Sequence, residues 1–305
     1  MADRPTLLVV GAAARDIDHS DPRGWRLGGT VAYASLAAAR LGVHVRALVG
    51  TDEHAATADE LDILRTAGVD LRTVPIEHGP VFDNRQTSDG RVQIVHQASD
   101  RVPAAALPDK WRSSSAVLLG TVAGELGDDW ADRFDGGSFV ALAWQGLLRR
   151  IQPGFPVEAF PPRRTALVTR ADALLVSSED VDGDVRIDDL MGDNQLLLST
   201  HGARGVIELR RDQGRVRARS APALSPPTVV DPTGAGDVFA GAWLSARLLA
   251  PEAPTDRHLL VASAMAGLSV RAKGLAAMPS KRDLCEAVIK LEDGNRWPRA
   301  PRTDR

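Results

Sequence analysis

Asp231-Pro232-Thr233-Gly234-Ala235-Gly236-Asp237 runs directly into Val238-Phe239-Ala240-Gly241-Ala242-Trp243-Leu244. Two glycines and an alanine thus precede a long apolar run. Residues this small let backbone N–H groups converge at the first turn of a helix. Together with the helix dipole, that convergence binds phosphate oxygens. Asp237 falls in the same turn. A carboxylate beside an anion-binding turn is suited to taking the proton of a hydroxyl as it attacks a phosphoryl group. The competing reading is a helix cap in which Asp237 only stabilises the dipole. The string is not a Walker A loop, because no Gly-Lys-Ser/Thr follows it.

Around this turn the chain alternates strand and helix patterns. Thr6 to Val10 reads as a strand ending at Gly11, and the alanine-rich Thr30 to Leu41 as a helix closed by Gly42. Val43 to Val49 and Val69 to Val74 are extended, with a helix predicted over Ala55 to Ala67. Asp89-Gly90 marks a hairpin between Phe82–Thr87 and Val92–His96. Ala116 to Leu119, Phe139 to Ala143, Ala173 to Val176 and Leu196 to Ser199 are short strands, with helical stretches expected between the members of each pair. Gly205 to Arg219 forms a second hairpin turning at Asp212-Gln213-Gly214. Helices are predicted over Ala235 to Leu249, Asp256 to Lys273 and Lys281 to Leu291. This alternation predicts an α/β fold whose mostly parallel central sheet has helices on both faces. It is expected as a single domain over 1–291, with a small β lid near 81–98 and a loose polar tail over 292–305.

Composition narrows the function further. The chain has 305 residues, 44% hydrophobic and 25% charged, with a net charge of −3. No basic footprint for nucleic acid is present. One cysteine, Cys285, excludes an intrachain disulfide; its place in the last helix predicts an inert packing residue. The seven histidines show no metal-ligand spacing, and the six tryptophans read as core or rim. The apolar run from Leu7 to Ala14 is far below the roughly 20 residues of a membrane span and reads as a buried strand, so a cytoplasmic protein with no membrane partner is expected.

The glycine-turn string resembles the signature of the PfkB (ribokinase-like) family of carbohydrate kinases. The resemblance extends from about Leu7 to Met278. Val9-Val10-Gly11 followed by Asp16 is similar to the family's first strand and its sugar-binding aspartate. Leu27-Gly28-Gly29, Ala39-Arg40-Leu41-Gly42 and Leu48-Val49-Gly50-Thr51-Asp52 are similar to its first signature region. Ser199-Thr200-His201-Gly202-Ala203-Arg204-Gly205 resembles a strand end that contacts nucleotide phosphates. Ala262 to Val270 followed by Gly274 resembles the helix beside the adenine.

The resemblance implies ATP-dependent phosphorylation of a sugar or polyol hydroxyl, with a ribokinase-like fold, ATP and Mg²⁺. Asp237 would be the base, with Gly234, Ala235 and Gly236 as the anion hole. Asp16, Gly28 and Gly29 would bind the acceptor, joined by Asn84 and Gln145. Thr200, Gly202, Gly205 and Ser263 would contact the nucleotide. Glu179 or Asp180 would organise Mg²⁺. A homodimer is one arrangement the resemblance allows. Three positions depart from the family's pattern: Tyr33, Ser177 and Ser263 stand where asparagine is usual. Only eleven residues separate Asp16 from Gly28, which implies a short lid and a partly open pocket. The hairpin containing Asn84, with Gln145-Gly146-Leu147-Leu148-Arg149, resembles the branch that includes myo-inositol kinases and implies a ring-polyol acceptor. A nucleoside kinase, or a nucleotide- or sugar-binding regulator with little turnover, are the alternatives. Gly11-Ala12-Ala13-Ala14 does not make the glycine pattern of a dinucleotide-dependent oxidoreductase.

Overall fold

A computed structural model of the chain describes residues 4–87, 90–181, 186–224, 226 and 228–294. β1 (Thr6–Ala12) leads into a hairpin of β2 (Ala14–Ile17) and β3 (Trp25–Gly28), then α1 (Thr30–Leu41), β4 (His44–Thr51), α2 (Glu60–Thr66) and β5 (Asp70–Pro75). A second hairpin, β6 (Val81–Thr87) and β7 (Gly90–Gln97), is followed by β8 (Ala116–Gly120) and β9 (Phe139–Ala143). A short pair, β10 (Arg149–Arg150) and β11 (Glu158–Ala159), precedes α3 (Ala166–Arg170), β12 (Ala173–Ser177) and β13 (Leu196–Thr200). The hairpin of β14 (Val206–Asp212) and β15 (Arg215–Ala221) leads to α4 (Ala235–Leu249), α5 (Thr255–Ser269) and α6 (Lys281–Gly294).

Nine strands form one sheet in the order β15-β14-β13-β12-β9-β8-β1-β4-β5. The run from β13 to β5 is parallel, and β14 and β15 are antiparallel to it. Side chains of a strand alternate between faces. In β1, Leu7 and Val9 therefore join one core, with α1, α4 and α5, while Leu8 and Val10 join another. The second core is closed differently from the first. Among the described residues, the helical stretches expected after β8 and β12 are single 3₁₀ turns, Asp128–Trp130 and Ile187–Leu190. That face is sealed by α3 and by Trp111, Trp130 and Trp144, each with 0% exposure. Bulky indoles bury enough apolar area to replace a full helix. The predicted helix over Ala55–Ala67 is likewise split, into a 3₁₀ turn at Ala55–Thr57 and α2.

The lid is larger than the sequence spacing implied. The eleven residues after Asp16 make the β2–β3 hairpin, which pairs with β6 and β7 in a four-stranded sheet ordered β3-β2-β6-β7. Ser88 and Asp89 of the predicted β6–β7 turn, and Trp297 of the tail, lie outside the described residues. α6 continues to Gly294, three residues past the boundary drawn from sequence. Cys285 is exposed on it rather than packed.

Candidate active site

The carboxyl ends of parallel strands are where an open α/β sheet leaves a crevice. Here β1, β9, β12 and β13 bring Asp16, Gln145, Asp180 and Thr200 to that edge. Two helix N-termini meet them. α1 and α4 approach so closely that a Cβ on Gly241 would strike the backbone of Ala34. This contact sets the first turns of both helices side by side. Thr30 Oγ1, buried at the start of α1, donates to Asp237 Oδ1 at 2.7 Å, although the two residues are 207 apart in sequence.

Asp237 keeps part of its surface open to the cleft while dense protein surrounds it. That desolvation raises its pKa from 3.8 to about 6; the Thr30 hydrogen bond and Arg149 oppose the rise, and Asp180 and Asp16 add to it. A carboxyl poised there is ionised at neutral pH yet basic enough to accept a proton. Replacing Thr30 with valine should raise this pKa further. The acid limb of the pH–activity profile should then move to higher pH; a limb in its wild-type position would show that the bond does not tune Asp237.

The three residues of the glycine turn differ in conformation and bonding. Gly234 caps α4 with φ +78°, a left-handed conformation that a side chain resists. Gly236 faces open space, with nothing within 4 Å of where a Cβ would stand. Ala235 differs: its N–H donates to Pro232 O at 3.2 Å. The N–H groups of Gly234 and Gly236, on either side of it, lie at the start of a helix, where first-turn N–H groups have no partner within their helix.

Tyr33, a departure from the family's pattern, has a position the sequence did not reveal. A Cβ on Gly234 would meet its ring at 2.6 Å, and one on Gly28 would meet it at 3.5 Å. The ring thus floors the cleft between Gly28 and the glycine turn. Burial, with Asp16, Asp231 and Asp237 nearby, pushes its hydroxyl pKa up, so it stays a neutral donor. At the other end of the cleft, a Cβ on Gly28 would lie 2.5 Å from Asp16 Oδ2, so a side chain there would displace that carboxylate from its position. Gly29, with φ +89°, caps α1. Asn84 Nδ2 donates to Asp16 Oδ1 at 3.0 Å, joining the β6–β7 hairpin to β2.

The predicted metal acids separate. Asp180 is buried and ion-paired with Arg149 at 2.9 Å, and Gln145 Nε2 lies 3.3 Å from its carboxylate. Glu179 is exposed, and its N–H is held by Ser177 Oγ at 3.2 Å. Among the described residues, the cluster with metal-ligand spacing is elsewhere: Glu77, His78 and Asp100 are brought together by the fold, all exposed, with His78 already bonded to Asp100.

On the predicted nucleotide side, Thr200 is half-buried at the end of β13 and Gly202 is exposed with φ +55°. Gly205 has a different task. Its N–H donates to Gly202 O and its carbonyl accepts from His201, so both groups serve the turn, and a Cβ there would strike Ala221. Ser263, at 6% exposure on α5, offers a ligand little surface. Asp52 of the first signature region is structural. Arg15 of the lid pairs with it at 2.7 Å, and it caps the turn at Ala55 N–H. Glu125, absent from the sequence reading, is fully buried and accepts the N–H groups of Ala12, Val122 and Ala123, fixing the crevice beside β1.

Residues 171–282 match the sequence model described as pfkB family carbohydrate kinase. No curated protein matches the chain. Among solved structures, the chain is similar to a pyrophosphate-dependent kinase in the ribokinase family complexed with a pyrophosphate analog and myo-inositol. The identity is 20% and the TM-score 0.73, over 92% of this chain and 99% of that one. It is also similar to Arabidopsis thaliana ribokinase complexed with ribose and ATP, at 18% identity and a TM-score of 0.66, over 93% and 98% of the two chains. A nucleoside kinase from Methanocaldococcus jannaschii is 18% identical, with a TM-score of 0.64, over 93% and 98%. These likenesses show a ribokinase-like fold. Among the described residues, no helix is long and apolar enough to cross a membrane.

Proposed function

We propose that this chain, with its ribokinase-like fold and its pfkB family match over 171–282, is a kinase that transfers a phosphoryl group from ATP to a hydroxyl of a sugar or polyol. Residues 1–291 would act as one kinase unit, its lid including the 81–98 hairpin. The observation that carries the reading is the Asp237 carboxylate, raised to about 6, at an open glycine turn and facing Asp16 across one crevice.

Asp16 and Asn84 would seat the acceptor, with Gln145 and the glycine backbone of Gly28 and Gly29 beside it. Asp237 would take the proton of the attacking hydroxyl, while the turn around Gly234 and Gly236 would hold the charge of the transferring group. Thr200 and Gly202 would lie along the donor, with Ser263 confined to a marginal contact. Positioning and electrostatics would supply most of the rate. Mg²⁺ would offset donor phosphate charge, with Glu179 reaching it through water; Asp180, neutralised by Arg149, is not free for that role. Glu179→Gln should therefore raise the Mg²⁺ concentration needed for half-maximal rate more than Asp180→Asn does. An unchanged Mg²⁺ titration in Glu179→Gln would leave that residue a solvated surface acid.

A ring polyol such as myo-inositol is the acceptor we favour. Its fixed hydroxyls match a carboxylate flanked by the amides of Asn84 and Gln145, and a wrong acceptor leaves such groups unpaired. Pyrophosphate as donor is a second reading, favoured by the similarity to a pyrophosphate-dependent kinase. A coupled assay crossing ATP and pyrophosphate with myo-inositol, ribose, fructose and adenosine tests all of this. Selective turnover of myo-inositol is expected. Selective turnover of ribose, fructose or adenosine would reject the polyol, and no turnover with any pair would reject the kinase.

A further inference from the structure

Arg149 begins β10 and is largely buried, its side chain 15% exposed. Its Nε and Nη2 donate to Asp180 Oδ1 at 3.2 and 2.9 Å, and its Nη1 donates to Gln93 Oε1 at 3.0 Å. Gln93, on lid strand β7, passes the connection on: its Nε2 donates to Asn84 Oδ1 at 2.9 Å, and Asn84 donates to Asp16. One guanidinium thus closes a polar chain that starts at the acceptor carboxylate and ends at the edge of β12. The backbone after Arg149 follows the same path. Val157 N–H donates to Gln93 O, and Val95 N–H donates to Phe155 O, at 2.8 and 2.9 Å.

We infer that Arg149 is a latch: a positioning residue that holds the lid amides over the acceptor and supplies the positive charge facing Asp237. A planar fork can donate in two directions at once, which a single ammonium cannot do at these separations. Of the charged groups whose fields reach Asp237, Arg149 favours the ionised carboxylate, while Asp180 and Asp16 oppose it. Tyr33 faces it as a neutral hydroxyl. The same cation therefore couples lid position to the state of the base.

The latch rests on the reading of Asp237 as base, but two of its readouts need no turnover. In the full chain, the Asp237 carboxylate is titrated by carbon NMR, assigned against Asp237→Asn, and hydrogen exchange is followed over 92–97. Arg149→Met should raise the Asp237 midpoint by about one pH unit and speed exchange in β7. Arg149→Lys should keep the midpoint and still loosen β7. Gln93→Leu should loosen β7, raise the acceptor KM and leave the midpoint unmoved. Wild-type values of both readouts in Arg149→Met, or in Arg149→Lys, would overturn the latch. If Arg149→Met fails to fold, Arg149→Lys decides by itself: wild-type exchange over 92–97 in that variant overturns the latch. Failure of every donor and acceptor with wild-type protein would reject the kinase without touching these measurements.

Discussion

Asp237→Asn should lower kcat by about 10²–10⁴ while donor affinity stays near that of the wild type. Asparagine keeps the shape and can still accept the Thr30 hydroxyl, so the loss isolates the base. In the wild type, kcat/KM should fall as the pH drops through about 6, where Asp237 takes up its proton. That acid limb should disappear from the residual activity of Asp237→Asn. A kcat within a few-fold of wild type would remove Asp237 from the chemistry. The same substitution has an effect on stability with a definite sign. The folded pKa is raised above the unfolded 3.8, so ionisation costs stability fully above the folded value and nothing below the unfolded one. Asp237→Asn should be more stable to unfolding than wild type at pH 7–8, by no more than about 3 kcal/mol for a shift of roughly two units. The difference should vanish below pH 4.

Gly236→Val should abolish productive donor binding without unfolding the chain. A Cβ at Gly236 meets nothing within 4 Å, so the protein accommodates the side chain, and the methyl groups enter the space assigned to the transferring phosphoryl group. Donor affinity should weaken by at least about tenfold, worth 1.4 kcal/mol, with a near-normal melting temperature. Wild-type donor affinity in folded Gly236→Val would show that the turn is not the anion hole. Gly234→Ala makes the contrast. There the new methyl would meet the Tyr33 ring at 2.6 Å in a left-handed backbone, so stability and activity should fall together.

The amino-acid sequence by itself determined α1 at Thr30–Leu41, β9 at Phe139–Ala143, α4 at Ala235–Leu249 and the turn at Asp212-Gln213-Gly214, because each is written in local periodicity, capping glycines and turn residues. The glycine turn at the start of α4, with Asp237 in its first turn, was legible for the same reason: a helix start is a local object. Only the tertiary structure decided what surrounds them. Thr30 reaches Asp237 because Gly241 lets α4 settle against Ala34, a contact no short window contains. Tyr33 floors the cleft because two glycines from distant turns make room for one ring. The β2–β3 hairpin turns at Asp21-Pro22-Arg23-Gly24, a local signal, but its place as a lid strand pair comes from the pairing of β2 with β6. Glu179 and Asp180 are adjacent in sequence and alike there; only the fold distinguishes them, by setting Arg149, thirty-one residues away, against Asp180. Periodicity specifies which face of an element is buried; partners for polar side chains are specified by which elements pack together, and that is a property of the whole chain.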